Sequence, residues 1–433
     1  MTPQAEFFVL APVIPAREAD LRRLLASMNE APGRLKPDNG IIPFAQFDRL
    51  HVARLLIIDD KTVGDNQVYH VTPPKYPLYL GFLGDVDGDA DTFLAELAAR
   101  APAGLRALFS CCEGFAAESD LGAWMKAHGA PSSASYVNWR GRTVRRIREE
   151  AALHDALQSH IEGSASELLR MPPAGVHAKL RELVNRDVAA GRLTLSPEEP
   201  TPFGWRLRNL LHLVGVPLIL LLLSPLLLVA AIVFAFRLRQ LEKTDPELCQ
   251  RHDPMLGAEL ALIEDHDVSN QFSAMGSLKP GFVRLWTTRF VLLAIDYAAR
   301  HVYTRGRLAR VRTIHFARWT FLDGTKRILF ASNYDGSLES YMDDFINRVG
   351  FGLNVVFSNG IGYPRVRWLI LDGCDDERKF KEYLRRHQMP TQVWYKAYPG
   401  LTAADLERHV RIREGLESAS LTERDARDWV ALL

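Results

Sequence analysis

Residues 48–60, DRLHVARLLIIDD, and residues 312–324, RTIHFARWTFLDG, are two versions of one segment. The matching residues are His51, Ala53, Arg54 and Asp59 in the first, and His315, Ala317, Arg318 and Asp323 in the second. Each HxAR motif is embedded in a run of apolar, aromatic and β-branched residues, which indicates a strand. A strand that occurs twice at matched positions predicts an internal repeat.

Further matches follow the first in the same order along the chain. The sequence between them changes length only by loop-sized steps, which favours a duplicated domain over chance similarity. The matched groups are Asp87-Gly88 with Asp335-Gly336, Phe109-Ser110 with Phe357-Ser358, Gly114-Phe115 with Gly362-Tyr363, His128, Pro131 and Tyr136 with His387, Pro390 and Tyr395, and residues 146–149 with 411–414, both RIRE.

Each copy has one coarse pattern, which predicts an α+β fold. In the first copy strands are predicted at 7–14, 50–58, 77–83 and 105–111, and helices at 18–28 and 91–101. This β-α-β-β-α-β order is that of a ferredoxin-like unit, whose helices cover one face of the sheet. The other face must also be buried. We therefore predict tandem ferredoxin-like repeats packed as an intramolecular α/β-barrel pseudo-dimer, with an inserted hydrophobic, membrane-associating helical segment.

The predicted domains follow from the repeat and its insert. They are a first ferredoxin-like repeat at 1–150, a helical linker at 151–205, a hydrophobic membrane anchor at 206–240, a second linker at 241–270 and a second repeat at 271–433.

The composition of the 433 residues is that of a folded protein, with 47% hydrophobic and 24% charged residues. A formal net charge of +1 predicts no nucleic-acid partner, because such proteins carry a strongly basic face. The four cysteines are too few and too scattered for a disulfide framework or a CxxC zinc site. We predict a reducing compartment, with the soluble domains in the cytoplasm and no metal site.

Residues 209–236, NLLHLVGVPLILLLLSPLLLVAAIVFAF, carry no charged side chain and predict membrane association. Basic residues flank both ends, so the charge bias gives no orientation. Paired repeats must lie on one side of the membrane, which favours a re-entrant or in-plane hairpin bent near Ser224-Pro225. The alternative is a true span, with each repeat pairing with another chain in a homo-oligomer. Residues 279–305 are either a second interfacial helix or the first helix of the second repeat.

This architecture resembles the dimeric α/β-barrel superfamily over roughly 1–150 and 265–420, and distantly the dye-decolourising peroxidases within it. Those peroxidases carry a GxxDG motif, which Gly84-Asp85-Val86-Asp87-Gly88 matches and residues 332–336 match with Ser332 in place of the first Gly. The resemblance implies haem as the cofactor. It implies Asp87, Asp335, Arg54 and Arg318 as catalytic residues that handle peroxide, and His315 and His387 as haem ligands.

Structural interpretations of the same residues remain open. On a strand His51 and Ala53 face one way and Arg54 the other. The His can therefore pack in the interface between repeats while the Arg pairs with a carboxylate on the other face. Asp-Gly after a strand is also a turn or helix-start signal. His128 and His387 lie near predicted helix ends, where the helix dipole favours a His.

Three functions are compatible with these patterns. The first is a membrane-associated haem- or peroxide-dependent oxidoreductase that acts on hydrophobic or lipid-derived substrates. The second is a non-catalytic protein that binds a lipid or another hydrophobic small molecule. The third is a membrane scaffold for an oxidative enzyme. The fold does not choose between them, because function resides in the site. The predicted partners are the lipid bilayer and a hydrophobic small molecule.

Overall fold

The computed structural model describes residues 1–72, 74–248 and 250–433. Its strands are β1 Gln4–Pro12, β2 Asn29–Ala31, β3 Arg34–Leu35, β4 Leu50–Ile58, β5 Tyr79–Asp87, β6 Ala134–Val137, β7 Ser269–Ser277, β8 Ile314–Leu322, β9 Arg327–Asp335, β10 Val366–Arg367, β11 Leu371–Asp372 and β12 Val393–Lys396. Its α-helices are α1 Glu18–Ser27, α2 Ala90–Arg100, α3 Pro102–Phe109, α4 Leu121–Ala127, α5 Val144–Leu168, α6 Pro173–Ala189, α7 Phe203–Leu222, α8 Ser224–Thr244, α9 Pro254–Ala261, α10 Phe282–His301, α11 Leu338–Phe357, α12 Glu377–His387, α13 Ala403–Glu417 and α14 Glu423–Val430.

The predicted α+β class is confirmed. Two open, antiparallel four-stranded sheets form the centre of the molecule. Sheet one has the order β1-β5-β4-β12, and sheet two has the order β7-β9-β8-β6. The two HxAR motifs lie at equivalent places. The first is on β4, one of the two inner strands of sheet one, and the second is on β8, one of the two inner strands of sheet two. Cys111, Cys112 and Cys374 are free thiols, and Cys249 lies outside the described residues.

The two halves of the chain exchange edge strands. β12, from the second half, pairs antiparallel with β4, and Tyr395 lies opposite Ala53. β6, from the first half, pairs antiparallel with β8, and Tyr136 lies opposite Ala317. Each sheet therefore consists of three strands from one half and one from the other.

The sheets meet through their inner faces. Phe8, Leu56 and Leu83 of sheet one pack with Met275 and Leu329 of sheet two in one buried cluster. Helices α1 to α4 cover the outer face of sheet one, and α10 and α11 cover that of sheet two. Helices α5, α6, α13 and α14 pack as a separate bundle beside the sheets.

The strand predicted at 105–111 is wrong, because α3 occupies this segment. Pro102 stands at the first turn of α3, where its missing N–H costs nothing and its fixed φ favours a helix. The short apolar run that follows is ambiguous between strand and helix by periodicity alone. In place of the strand predicted at 105–111, the first half contributes β6, and β6 lies in sheet two.

Helices α7 and α8 are each long and apolar enough to cross a membrane. They meet at Leu223, whose φ of −87° and ψ of 0° are close to helical values. Backbone bonds from Leu223 to Ile219 and from Leu227 to Leu223 continue the helix across the junction. The predicted hairpin near Ser224-Pro225 is therefore wrong, because the chain bends there without reversing.

Both ends of this long bent helix contact α10. Near its start, the Nδ1 of His212 lies 2.8 Å from the Nε2 of His301, at the end of α10. Near its end, Phe234 packs against Phe282, at the start of α10. The α7–α8 segment therefore runs antiparallel to α10 along one side of the molecule. Pro217 cannot donate to the carbonyl of Leu213, and the hydroxyl of Tyr297 donates to that oxygen at 3.0 Å.

Candidate functional site

The two predicted catalytic aspartates each pair with the histidine of an HxAR motif. The Nε2 of His51 lies 2.9 Å from Asp87, and the Nε2 of His315 lies 2.6 Å from Asp335. A bulge interrupts the ladder at each histidine, between Leu50 and Val52 and between Ile314 and Phe316. His51, Asp87 and His315 are buried, and the side chain of Asp335 is 9% exposed. The structure therefore brings two of the predicted site residues, His315 and Asp335, together, and the first half contains the equivalent pair.

Each of these aspartates also holds the start of a helix. The second oxygen of Asp87 accepts the backbone N–H of Val144, the first residue of α5, at 2.8 Å. The second oxygen of Asp335 accepts that of Ala403, the first residue of α13, at 2.7 Å. The first N–H groups of a helix lack partners within it, so these carboxylates satisfy groups that would otherwise be buried unpaired. The contacts favour a structural role for Asp87 and Asp335.

A small cavity separates the two His–Asp pairs. His51, His315 and Tyr398 line it, and its volume is about 20 Å³. The hydroxyl of Tyr398 lies 3.3 Å from the Nδ1 of His51. A space of this size holds about one water molecule. It is too small for a substrate or cofactor.

The two predicted catalytic arginines connect the sheets. Arg54 donates to the carbonyls of Phe272 and Ser332 at 2.8 and 3.0 Å, on strands β7 and β9. Arg318 donates to the carbonyls of Phe7 and Gly84 at 2.8 and 3.0 Å, on strands β1 and β5. The prediction that His and Arg face opposite ways is consistent with these contacts. The interpretation that places His in the interface agrees with the ring of His51, which lies 5.4 Å from that of Phe316 on the other sheet. It does not foresee that the arginines also reach across the interface, where Arg318 pairs with the carboxylate of Asp85.

The surroundings of the two arginines differ in charge. Arg318 forms a salt bridge with Asp85 at 2.6 Å, and Glu6 lies 3.6 Å away. Burial lowers the pKa of Arg318, but these carboxylates outweigh it and raise that pKa above its usual value. The described partners of Arg54 are neutral, with Ser273 at 2.9 Å and Asn333 also accepting from it. Burial lowers the pKa of Arg54 to about 9.

His387, a predicted haem ligand, is packed against backbone. Its Nδ1 lies 2.8 Å from the carbonyl of Tyr383, one turn earlier in α12. His128 makes the same contact with the carbonyl of Trp124, at 2.9 Å. Both histidines therefore contact carbonyls of the last turn of a helix, as the helix-end interpretation expects.

Neither predicted ligand has room for a haem beside it. The Nε2 of His387 is buried without a hydrogen-bond partner among the described residues, and a Cβ added to Gly276 would lie 3.3 Å from it, so the backbone of strand β7 runs close against this edge of the imidazole. The Nε2 of His315 already contacts Asp335 and lines only the small cavity. The residues present do not fit a haem at His315 or His387.

The second half contains a larger apolar cavity between α10, α11 and the outer face of sheet two. Its volume is about 470 Å³, within the range typical of ligand pockets. Representative lining residues are Ala294 and Ala298 of α10, Met342 and Val356 of α11, and Trp319 and Phe330 of the sheet. None of the lining residues is charged in the described chain. The cavity is therefore suited to an apolar molecule.

A groove of about 620 Å³ between α8 and α10 adjoins this cavity. Leu227 and Phe234 of α8 line it together with Trp286 of α10. Phe290 and Val291 line both the groove and the cavity. One side of α10 thus faces the α7–α8 segment and its other side faces the interior of the second half.

Of the two alternatives for residues 279–305, the structure shows a helix, α10, that packs on sheet two. Leu292 and Ala299 pack in the core over sheet two. Phe282, Trp286 and Phe290 are exposed, at the four-residue spacing of one helix face. The sequence therefore did predict an apolar helix here, although it gave no sign of the cavity beneath it.

Groups of three or more His, Cys, Asp or Glu side chains that could hold a metal ion do not occur within residues 1–72, 74–248 and 250–433. Compared with protein-family models, curated proteins and solved structures, the chain gives no match.

Proposed function

We propose that this protein lies on a membrane surface and binds a lipid-like molecule in the cavity beneath α10 and α11. The observation that carries the proposal is the junction at Phe290 and Val291 between that cavity and the groove along α8. An apolar molecule could pass from the bilayer into the cavity without crossing water.

The surface of the α7–α8 segment supports membrane association. Leu222 is 72% exposed and Leu226 is 68% exposed, and their apolar neighbours along both helices are also exposed. Soluble proteins seldom expose so large a continuous apolar patch, which typically marks a contact with a membrane or a partner. Phe282, Trp286 and Phe290 of α10 extend the same apolar surface.

The fixed ends of the segment favour an orientation along the membrane surface. At its end, Asp245 binds Lys279 at 2.8 Å and Arg284 at 2.7 Å, both buried. At its start, Arg300 donates to Asn209 at 3.3 Å. Both ends thus attach to α10 or the residues just before it, so we propose an in-plane anchor rather than a span.

We also propose that the two halves are tandem ferredoxin-like repeats that form an α/β-barrel-like pseudo-dimer. Gly88 and Gly336 both have a positive φ, of 85° and 83°, directly after β5 and β9. A break at Ala101 separates α2 from α3, and α11 has a kink at Val349. The number of residues from Ala101 to Val349 equals the number from Gly88 to Gly336. The contacts of Arg54 and Arg318 are reciprocal, because each arginine binds backbone carbonyls of the opposite sheet.

Replacing Leu222 and Leu226 with Glu should weaken binding to vesicles at least roughly tenfold, because carboxylates in place of these leucines oppose insertion into the membrane. The measurement is flotation of the full-length chain with phosphatidylcholine vesicles. The control is Leu169→Glu with Val188→Glu, since both residues are exposed in the bundle of α5 and α6. Equal flotation of the two double variants would contradict the proposed anchor.

Replacing Ala298 with Phe should reduce the affinity for the fluorescent fatty acid cis-parinaric acid, because the added ring occupies part of the cavity. We expect a loss of roughly tenfold, as one badly placed group in an apolar pocket costs about 1–3 kcal/mol. Ala165→Phe, on the exposed surface of α5, is the matched control. Unchanged affinity in Ala298→Phe, with the fold intact by circular dichroism, would place the fatty acid elsewhere.

A further inference from the structure

The loop between α10 and β8 carries a cluster of unpaired positive charge. Four of its eight residues from 305 to 312 are arginines, and all four are exposed. Their guanidinium groups make no salt bridge or side-chain hydrogen bond to any residue that the structure describes. The carboxylate of Glu407 lies beside Gly306 but forms no salt bridge with them. The arginines are Arg305, Arg307, Arg310 and Arg312.

The same loop closes one end of the apolar cavity. Tyr303, Leu308 and Ala309 line that cavity. Leu308 and Val311 exchange backbone hydrogen bonds of 2.9 and 3.0 Å, which hold the loop in a tight turn. Apolar residues of this turn thus face the cavity, and arginines on either side of them reach solvent.

The loop also lies at the edge of the apolar surface. It directly follows the end of α10, where His301 contacts His212 of α7. Arg206 and Arg208 stand in the first turns of α7, just before the uncharged run begins. Arginine side chains therefore lie where the proposed anchor would pass from the bilayer interior into the headgroup layer.

We infer that residues 305–312 bind the phosphate of an anionic phospholipid whose acyl chain occupies the apolar cavity. This inference rests on the proposed function. Arginine is suited to the role because its planar guanidinium donates two parallel hydrogen bonds to a phosphate. The cavity itself offers no charged side chain, so the loop supplies the charge and the cavity supplies the apolar surface.

The experiment compares flotation of the full-length protein with vesicles of phosphatidylcholine alone and of phosphatidylcholine mixed with phosphatidylglycerol. The wild-type protein should prefer the mixed vesicles at least roughly tenfold at low salt, since each basic residue near an anionic surface adds to binding. The preference should disappear, and binding to pure phosphatidylcholine should remain, in the loop variant Arg305→Gln, Arg307→Gln, Arg310→Gln and Arg312→Gln.

The matched control removes the same charge from the helical bundle beside the sheets. It carries Arg170→Gln, Arg411→Gln, Arg424→Gln and Arg427→Gln, all at exposed positions, and should keep the preference. An unchanged preference in the loop variant would overturn the inference. Equal binding of the wild-type protein to both vesicle types would overturn it while leaving the proposed function intact. Absence of wild-type binding to either vesicle would instead refute the proposed function.

Native mass spectrometry with added phosphatidylglycerol tests whether loop and cavity form one site. A phospholipid adduct should form with the wild-type protein and be lost in both the loop variant and Ala298→Phe. Survival of the adduct in Ala298→Phe would overturn the placement of the chain. Competition by glycerol phosphate at equal concentration would show a site for free phosphate instead. Capture of an RNA homopolymer that depends on the loop arginines would also overturn the lipid assignment.

Discussion

Replacing Arg318 with Met should lower the free energy of unfolding by about 3–5 kcal/mol, because it leaves Asp85 buried without its cation. The guanidinium of Arg318 lies 2.6 Å from that carboxylate. It also donates to the carbonyls of Phe7 and Gly84, which would lose their donors. The measurement is urea unfolding of the full-length protein in a mild detergent.

Two variants separate the charge effect from lost packing. Adding Asp85→Asn to Arg318→Met should recover part of the loss, because the buried charge is then absent. Arg54→Met should cost less than Arg318→Met, since the partners of Arg54 are neutral and only hydrogen bonds to uncharged acceptors are lost. Equal losses for Arg54→Met and Arg318→Met would contradict the difference in charge between the two sites.

Replacing Asp245 with Asn should also lower the free energy of unfolding by about 3–5 kcal/mol at neutral pH, because it leaves two buried cations unpaired. Lys279 and Arg284 both lie within 2.8 Å of this carboxylate, and their side chains are each 2% exposed. Urea unfolding at pH 7 and at pH 9 measures the effect. The end of α8 would lose its attachment to α10 in the same variant.

The loss from Asp245→Asn should shrink as pH rises. Burial lowers the pKa of Lys279 to about 8, although Asp245 acts to raise it. The unfolded chain holds the lysine proton up to a pKa of about 10.4, so between the two values it binds more protons than the folded protein. Stability therefore rises with pH across that window as Lys279 becomes neutral. A loss of equal size at pH 7 and pH 9, or an equal loss when Lys279→Met is added, would contradict this.

The central strands could be read from the sequence because local pattern determines them. The predicted strand at 50–58 coincides with β4, as the run of apolar and β-branched residues around the first HxAR motif indicates. The sequence does not predict which face of that strand meets the other sheet, because both faces are buried and both carry apolar residues. The structural interpretation placed Arg54 on the face away from the other sheet for that reason, whereas its guanidinium binds carbonyls of β7 and β9.

The candidate site could not be predicted in the same way. The cavity beneath α10 is defined by space between side chains that are distant in sequence, such as Ala298 and Val356. No motif marks such a space. The arginines of the 305–312 loop are visible in the sequence, but their significance depends on Tyr303 and Leu308 facing the cavity. The functional roles of Asp87 and Asp335 in peroxide chemistry remain predictions from resemblance.

The exchange of β6 and β12 has a consequence for synthesis on the ribosome. The edge of β4 finds its partner only when residues 393–396 have emerged, long after β4 itself has been translated. Until then the nascent first half exposes an unpaired strand edge, which is a template for aggregation. The α7–α8 segment is translated during this interval, so the proposed membrane contact could form before the last strand closes sheet one.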